Sequence, residues 1–550
     1  MNLQIFWNQQ LGFPVLTLLI FLPVAGALSL WMRKDARGAR VEALIVSLVV
    51  LALSLLLFFK FASGVPAMQF VESIPWIAPL GIGYHIGIDG VSLFLVILTA
   101  LLTVLTLIYS WDRVREHLRE YLICLLILEA TMIGVFVSLD LVLFFVFWEV
   151  MLIPMYFLIK TWGNGPRREY AALKYVVYNL TGSVLMLVGF IILYLNYHDW
   201  AVQIHGLEPY SFDYQKLLSA PVAFDKQLWV FGLVFLGFAV KGPIFPFHTW
   251  LPEAMLEGPI AVSVMLSGVK LGSYGLLRFN LPLTPDAAQA AVPLMMALAL
   301  IGLLYGAFIA LSQPNLMTMM AYAGISHLGF VTVGLFALNQ IGIEGALLQM
   351  VNLGVAGAGL IFVVGFLLDR RGSLNMDDYG GLAKKAPLLA ALFLIIVLAS
   401  LALPGTNVFV GEFMILVGAF KSGPLYAVIG VIAVILGAAY LLWMYERIML
   451  GKIEKAEIAV LPDLNVREAM IAGTMVVLIL WIGLYPAPLL SRMEPSVRAV
   501  VDRVEKRELP LNPFVQYDPN NPHAYLLKML ADPGAAAGLP EMNAAQGSVK

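Results

Sequence analysis

"FFVFWEVMLIPMYFLI", residues 144–159, is an apolar run interrupted by one carboxylate, Glu149, with Trp148 before it and Pro154 five positions after it. An acid at the centre of a membrane helix costs roughly 2.5–3.5 kcal/mol on insertion scales, so this charge needs a partner elsewhere in the chain. The composition says what kind of chain that is. Its 550 residues are 61% hydrophobic and 12% charged, with a mean hydropathy of +0.88. A soluble domain carries about a quarter charged residues, so this sequence reads as an all-α polytopic membrane protein.

Apolar stretches of about 20 residues, enough to cross roughly 30 Å of hydrocarbon, recur about fourteen times between residues 11 and 491. Basic residues gather in alternate connections: "RKDARGAR" (33–40), "DRVREHLR" (112–119), "GPRR" (165–168), "DRR" (369–371) with Lys384 and Lys385, and the 447–467 loop. The positive-inside rule makes that side cytoplasmic and leaves the N-terminus outside. Arg492, Arg498, Arg503, Lys506 and Arg507 fall on the other side by helix count, an exception to the rule. The first span lacks a basic n-region and outruns a signal-peptide core, so it is expected to stay as a membrane helix.

Two spans carry helix breakers. "FAVKGPIFPFHTWLPEA" (238–254) sets Pro243, Pro246 and Pro252 around Lys241, and "LASLALPGTNVFVGEFMIL" (398–416) sets Pro404-Gly405 shortly before Glu412. Interrupted helices at matching places in two halves point to an ion pathway between inverted repeats. Glu149 precedes Lys241 by 92 residues and His327 precedes Glu412 by 85, a spacing consistent with such a repeat. Within the spans the ionisable residues are Glu129, Glu149, Lys174, Lys241, Lys270, His327 and Glu412. Buried acids and bases relieve one another's desolvation, and each changes the proton affinity of the next, so the series reads as a relay.

Blander readings compete at some positions. Glu129 and Lys174 pair as packing glue or join the path, Lys174 alternatively snorkelling from a helix start. His327 alone fits a hydrogen bond to a neighbouring helix, and His248 beside Trp250 reads as an interfacial or loop anchor. Other function classes find no support. A net charge of −2 excludes a basic nucleic-acid surface, and Cys124, the only cysteine, excludes a thiolate-bound cluster or disulfide within this chain. HExxH, GxxxxGK[ST], GxSxG and a GxGxxG after a strand do not occur.

Together with "SVMLSGVKLGSYGLLRF" and "AYAGISHLGF", these motifs resemble, in the same order, the antiporter-like proton-translocating subunits of respiratory complex I, with the M-type pattern. The resemblance spans residues 85 to about 490. It implies fourteen helices and two inverted five-helix repeats containing broken helices. The expected organisation is 1–119 for helices 1–3, 120–280 for the first repeat, 281–450 for the second, 451–492 for the last helix and 493–550 for a polar tail. By position, the resemblance implies a coupling pair at Glu149 and Lys241, a continuation through Lys270 and His327, and a terminal residue at Glu412. It also implies no cofactor in this chain, with flavin, iron-sulfur clusters and quinone in partner subunits, and L-type and N-type neighbours in a bacterial inner membrane. Glutamate at 412 favours the M type over its lysine-bearing paralogues. The alternatives are a subunit of a multi-subunit cation/proton antiporter, an ion-coupled bicarbonate-uptake complex or a membrane-bound hydrogenase.

The sequence departs from the family at Ala254-Met255, where the pattern has alanine-histidine, at Leu353, where it has histidine, and at Met317-Thr318, where it has a basic pair. "SGVK" is two residues shorter than the family pattern. Two residues of helix are roughly 200° of rotation, which leaves the orientation of Lys270 open. Water or Asn352 is the candidate bridge for the lost histidine, although Asn exchanges hydrogen bonds without titrating.

Overall fold

The computed structural model describes residues 4–205 and 210–505. In chain order its main helices are α1 (Val15–Met32), α2 (Ala36–Lys60), α3 (Leu93–Ser110), α4 (Leu118–Val137), α5 (Leu141–Val150), α6 (Leu152–Trp162), α7 (Arg168–His205), α8 (Phe224–Lys241), α9 (Leu251–Glu257), α10 (Ile260–Gly268) and α11 (Leu271–Gly275). They continue as α12 (Pro285–Ser312), α13 (Leu316–Phe336), α14 (Gln340–Arg371), α15 (Pro387–Ser400), α16 (Asn407–Ser422), α17 (Pro424–Met449), α18 (Val466–Leu484) and α19 (Ala487–Val504). Twelve spans among the described residues are long and apolar enough to cross a membrane. The broken pairs α8/α9 and α15/α16 bring the crossings to the expected fourteen.

Helix starts follow the sequence. Asp35 accepts from the Gly38 amide at 2.6 Å, and Asp140 accepts from Val142 and Leu143 at 2.9 and 3.1 Å. Asn465 and Glu468 form a reciprocal capping box at the start of α18. The breaks fall where the prolines and Pro-Gly place them, across 242–250 and 401–406. Gly405 and Ala402 take left-handed backbone in the second, with φ +92° and +61°.

Lipid-facing and protein-facing helices separate cleanly. On α7, Leu173, Val177, Leu180, Val184, Val188 and Ile191 are exposed at intervals of three or four, one stripe of an apolar helix turned out of the bundle. The apolar window of α14 is 89% buried, against 28% for α2, so α14 is the central helix. Its neighbours approach closely at Gly345, where a Cβ would stand 2.7 Å from that of Met414. Small residues allow such contact between membrane helices.

Three features go beyond the sequence reading. Residues 68–88, between the second and third spans, form a hairpin of β2 (Met68–Ile77) and β3 (Ile82–Ile88) beside a short parallel strand β1 (Gln4–Phe6). The eighth span is itself interrupted, with extended backbone at Val269 between α10 and α11, followed by a π-helical turn at Leu276–Asn280. Residues 487–504, placed across the end of the last crossing and the polar tail, form the amphipathic α19. There Arg503 donates to the carbonyls of Leu218 (2.7 Å) and Pro282 (3.3 Å), and the Arg492 guanidinium lies 4.1 Å from the centre of the Phe58 ring. Two of the cations that break the positive-inside rule are thus spent on contacts within the chain. Lys506 and Arg507 lie outside the described residues.

One permanent ion pair sits deep in the fold. Arg278, in the π turn, meets Asp89 with both Nη atoms, one at 2.8 Å, and reaches Ser92 Oγ at 3.1 Å and the Tyr274 hydroxyl at 3.3 Å. Both partners are buried. The Gly90 amide next to Asp89 donates to Ser496 Oγ at 3.0 Å and so ties in α19. Removing one member of a buried pair strands the other, at a cost of roughly 3–5 kcal/mol. Asp89→Ala is therefore expected to lower the temperature at which the assembled protein disassembles in detergent, and Asp89→Leu with Arg278→Met to restore most of the loss. An Asp89→Ala protein as heat-stable as wild type would contradict this.

Candidate functional site

The first half of the site forms where α5 gives way to α6. Pro154 lacks a donor and its ring clashes with the carbonyl of Val150, so the helix is interrupted at Met151, two residues beyond Glu149. The Glu149 carboxylate is half-buried, with Oε1 unpartnered and Ser183 of α7 within hydrogen-bonding reach. Lys241 is the last residue of α8, where the helix dipole favours a cation. Its Nζ donates to the Trp148 carbonyl at 3.4 Å and lies 4.9 Å from the centre of the Trp148 ring. Glu149 and Lys241 act on one another electrostatically without a direct ion pair. The break that follows is held by the Trp250 indole, which donates to the Val240 carbonyl at 2.8 Å.

The second half is built around two small cavities. Lys270 is buried at the interruption between α10 and α11. It lines a small cavity together with Ser267, Leu353, Ser400 and His327. A second cavity runs from His327 past Ser326 and Tyr440 to Glu412. A water needs only roughly 10–15 Å³ for its centre, and each cavity has room for at least one. His327 Nδ1 stands 3.4 Å from Glu412 Oε1, and Gln349 Nε2 donates to that same oxygen at 3.4 Å. His327 thus belongs to both cavities and connects Lys270 to Glu412.

Several expectations change here. Glu129 does not pair with Lys174: it accepts from Ser47 Oγ at 2.9 Å, whereas Lys174 Nζ binds Glu253 Oε1 at 2.9 Å. Packing decides this, because Ser47 lies on α2 beside α4 while α7 runs beside α9. Asn352 does not bridge the gap left by the missing histidine. Its amide donates to the Asn407 carbonyl at 2.8 Å and to Gln349 Oε1 at 3.3 Å, and Asn407 returns a bond to the Asn352 carbonyl at 3.1 Å. That exchange holds the start of α16 against α14. Lys270, whose orientation the shortened "SGVK" left open, reaches the cavity because the span unwinds there. His248, read as an interfacial anchor, is buried with both ring nitrogens unpartnered, its ring centre 5.1 Å from that of Tyr305 and 6.5 Å from that of Tyr322.

Glu253 and Gln349 were not singled out. Glu253 had a signal, an acid just after Trp250 in a broken span, and so did Gln349, a polar residue inside "ALLQMVNLG". Among the described residues, no group of three His, Cys, Asp or Glu side chains could hold a metal ion.

The family model described as NADH:quinone oxidoreductase/Mrp antiporter, transmembrane, matches residues 138–437. NADH-quinone oxidoreductase subunit M of Rickettsia prowazekii is 36% identical, over 88% of this chain and 98% of its own. Among solved structures, a chain of respiratory complex I from Thermus thermophilus with bound NADH superposes with a TM-score of 0.81 at 30% identity, covering 89% of this chain and 99% of that one. A chain of the Mrp complex from Dietzia sp. DQ12-45-1b superposes at 0.75 with 20% identity, covering 89% and 97%, a likeness of fold.

Leu353 lines the cavity between Lys270 and His327 at a buried position of the central helix. Leu353→Trp fills that space and is expected to cut transmembrane proton movement at least tenfold with the protein still assembled. Leu353→His, of similar size and able to exchange a proton, is expected to leave it intact. Proton uptake by proteoliposomes checks both, and an unimpaired Trp variant would show that the cavity is not used.

Proposed function

The chain belongs to the family of NADH-quinone oxidoreductase subunit M, and on that premise we propose that protons cross it along Glu149, Lys241, Lys270, His327 and Glu412. In this reading it is a proton-translocating membrane-arm subunit of a complex I-like NADH or ferredoxin:quinone oxidoreductase. The single observation that carries the path is the pair of cavities sharing His327: one is lined by Lys270 and His327, the other by His327 and Glu412, and each has room for a water.

The chemistry is proton transfer driven by electrostatics. Two unit charges roughly 5–8 Å apart at an effective dielectric near 20 interact by about 2–3 kcal/mol. A shift in the Glu149 and Lys241 equilibrium therefore biases the charge state of the next site, and each site passes the bias on. Lys174 with Glu253, and Glu129 with Ser47, are side branches in this scheme. Flavin, iron-sulfur clusters and quinone belong to partner subunits, and L-type and N-type chains are the neighbours. The membrane is a bacterial inner membrane with the N-terminus on its outer side, which puts the basic loops in the cytoplasm.

The competing reading is an antiporter subunit without electron transfer, supported by the shared family model and by likeness of fold. Purification decides between them: copurifying flavin and iron-sulfur subunits support the redox complex, and a set of small membrane subunits alone would sink it. Lys241→Ala is expected to reduce pumping at least tenfold in proteoliposomes with assembly retained, because it removes the titratable charge while the Trp250–Val240 bond that holds the break is untouched. Wild-type pumping with redox turnover verified would overturn the assignment.

A further inference from the structure

Away from the proton path, a groove of about 530 Å³ opens between α1, α4 and α6. Its walls are Trp31, Ile123, Cys124, Phe157 and Trp162, and its rim carries His117, Arg119 and Glu120. The groove lies at the basic end of the bundle, beside residues 33–42, where four cations stand against two acids. Trp31 is 75% exposed and Phe157 47%, so the apolar wall faces outward.

We infer that this groove binds one anionic phospholipid, its acyl chain on Ile123 and Phe157 and its phosphate at Arg119 and His117. Two observations converge. Apolar wall and basic rim are stacked in the order of acyl chain and headgroup, the arrangement by which basic pockets between membrane helices hold anionic lipids. Trp31 and Trp162 both line the groove, and tryptophan is enriched at the membrane–water interface. The rim is not wholly basic: Glu120 lies 3.6 Å from Arg119 Nη2, and Arg119 Nη1 donates to the Arg33 carbonyl at 3.1 Å. Both contacts are exposed, and the second aims the guanidinium along the rim.

The test uses the whole purified complex in nanodiscs containing phosphatidylglycerol with a diazirine midway along one acyl chain. After illumination, peptide mass spectrometry is expected to find label within residues 120–127 and 153–162. Unlabelled phosphatidylglycerol should compete at least fivefold better than phosphatidylcholine, since one basic residue near an anionic leaflet is worth roughly that factor. Arg119→Gln with His117→Gln should bring the two competition curves together at unchanged label positions. Ile123→Trp, which fills the groove, should remove the label whichever headgroup is present, and it stands in if the first variant fails to assemble. Equal competition in the wild type would reduce the groove to ordinary annular contact and overturn the proposal. So would absence of label there, meaning that a neighbouring subunit fills the groove, or a double variant that keeps its preference.

Discussion

Inside a membrane a charge survives only beside another polar group or water, and the arrangement of this bundle follows from where such partners are supplied. Lys241, Lys270 and Glu412 each lie at or within two turns of a helix interruption. A break frees carbonyls and amides, which is tolerable only inside protein or along a polar cavity. The same freed groups then supply polarity to the neighbouring ion. The Trp250 indole answers a carbonyl at the first break, and Asn352 and Asn407 exchange bonds across the second.

The molecule separates permanent charge from charge that can move. Arg278 with Asp89, and Arg370 and Arg113 with Glu468, join helix ends through guanidinium-carboxylate contacts. Arginine stays charged at any working pH and its fork fixes geometry, so such pairs hold parts together. The interior series uses lysine, histidine and glutamate instead. Its contacts are looser: Glu149 and Lys241 without a direct pair, His327 and Glu412 at 3.4 Å. Loose pairs between titratable groups can exchange a proton without dismantling the fold, which a tight Arg-carboxylate pair cannot do.

The orientation of Lys270, open in the sequence, is decided by the backbone. Extended backbone at Val269 interrupts the span, a π turn follows at 276–280, and Lys270 lines the cavity. At Leu353 the side chain offers no proton site, and the cavity it lines is shared with Ser267 and Ser400. A relay through water needs room and a few polar atoms, and both are present.

Much of this was legible in the sequence for a simple reason. Hydrocarbon demands about 20 apolar residues per crossing, and Pro-Gly clusters mark where the helical ladder fails, so span number, both proline breaks and the buried ionisable set follow from local rules. What only the tertiary structure decided is which of those residues meet. Glu129 found Ser47 and Lys174 found Glu253, because partner choice depends on which helices lie side by side. The break at Val269 has no proline to announce it, and the hairpin at 68–88 depends on pairing two strands that composition does not distinguish from a loop. The sequence by itself determined that charges must be buried and where the helices yield; helix packing, which no local pattern encodes, decided that Lys270, His327 and Glu412 line two cavities joined at one imidazole.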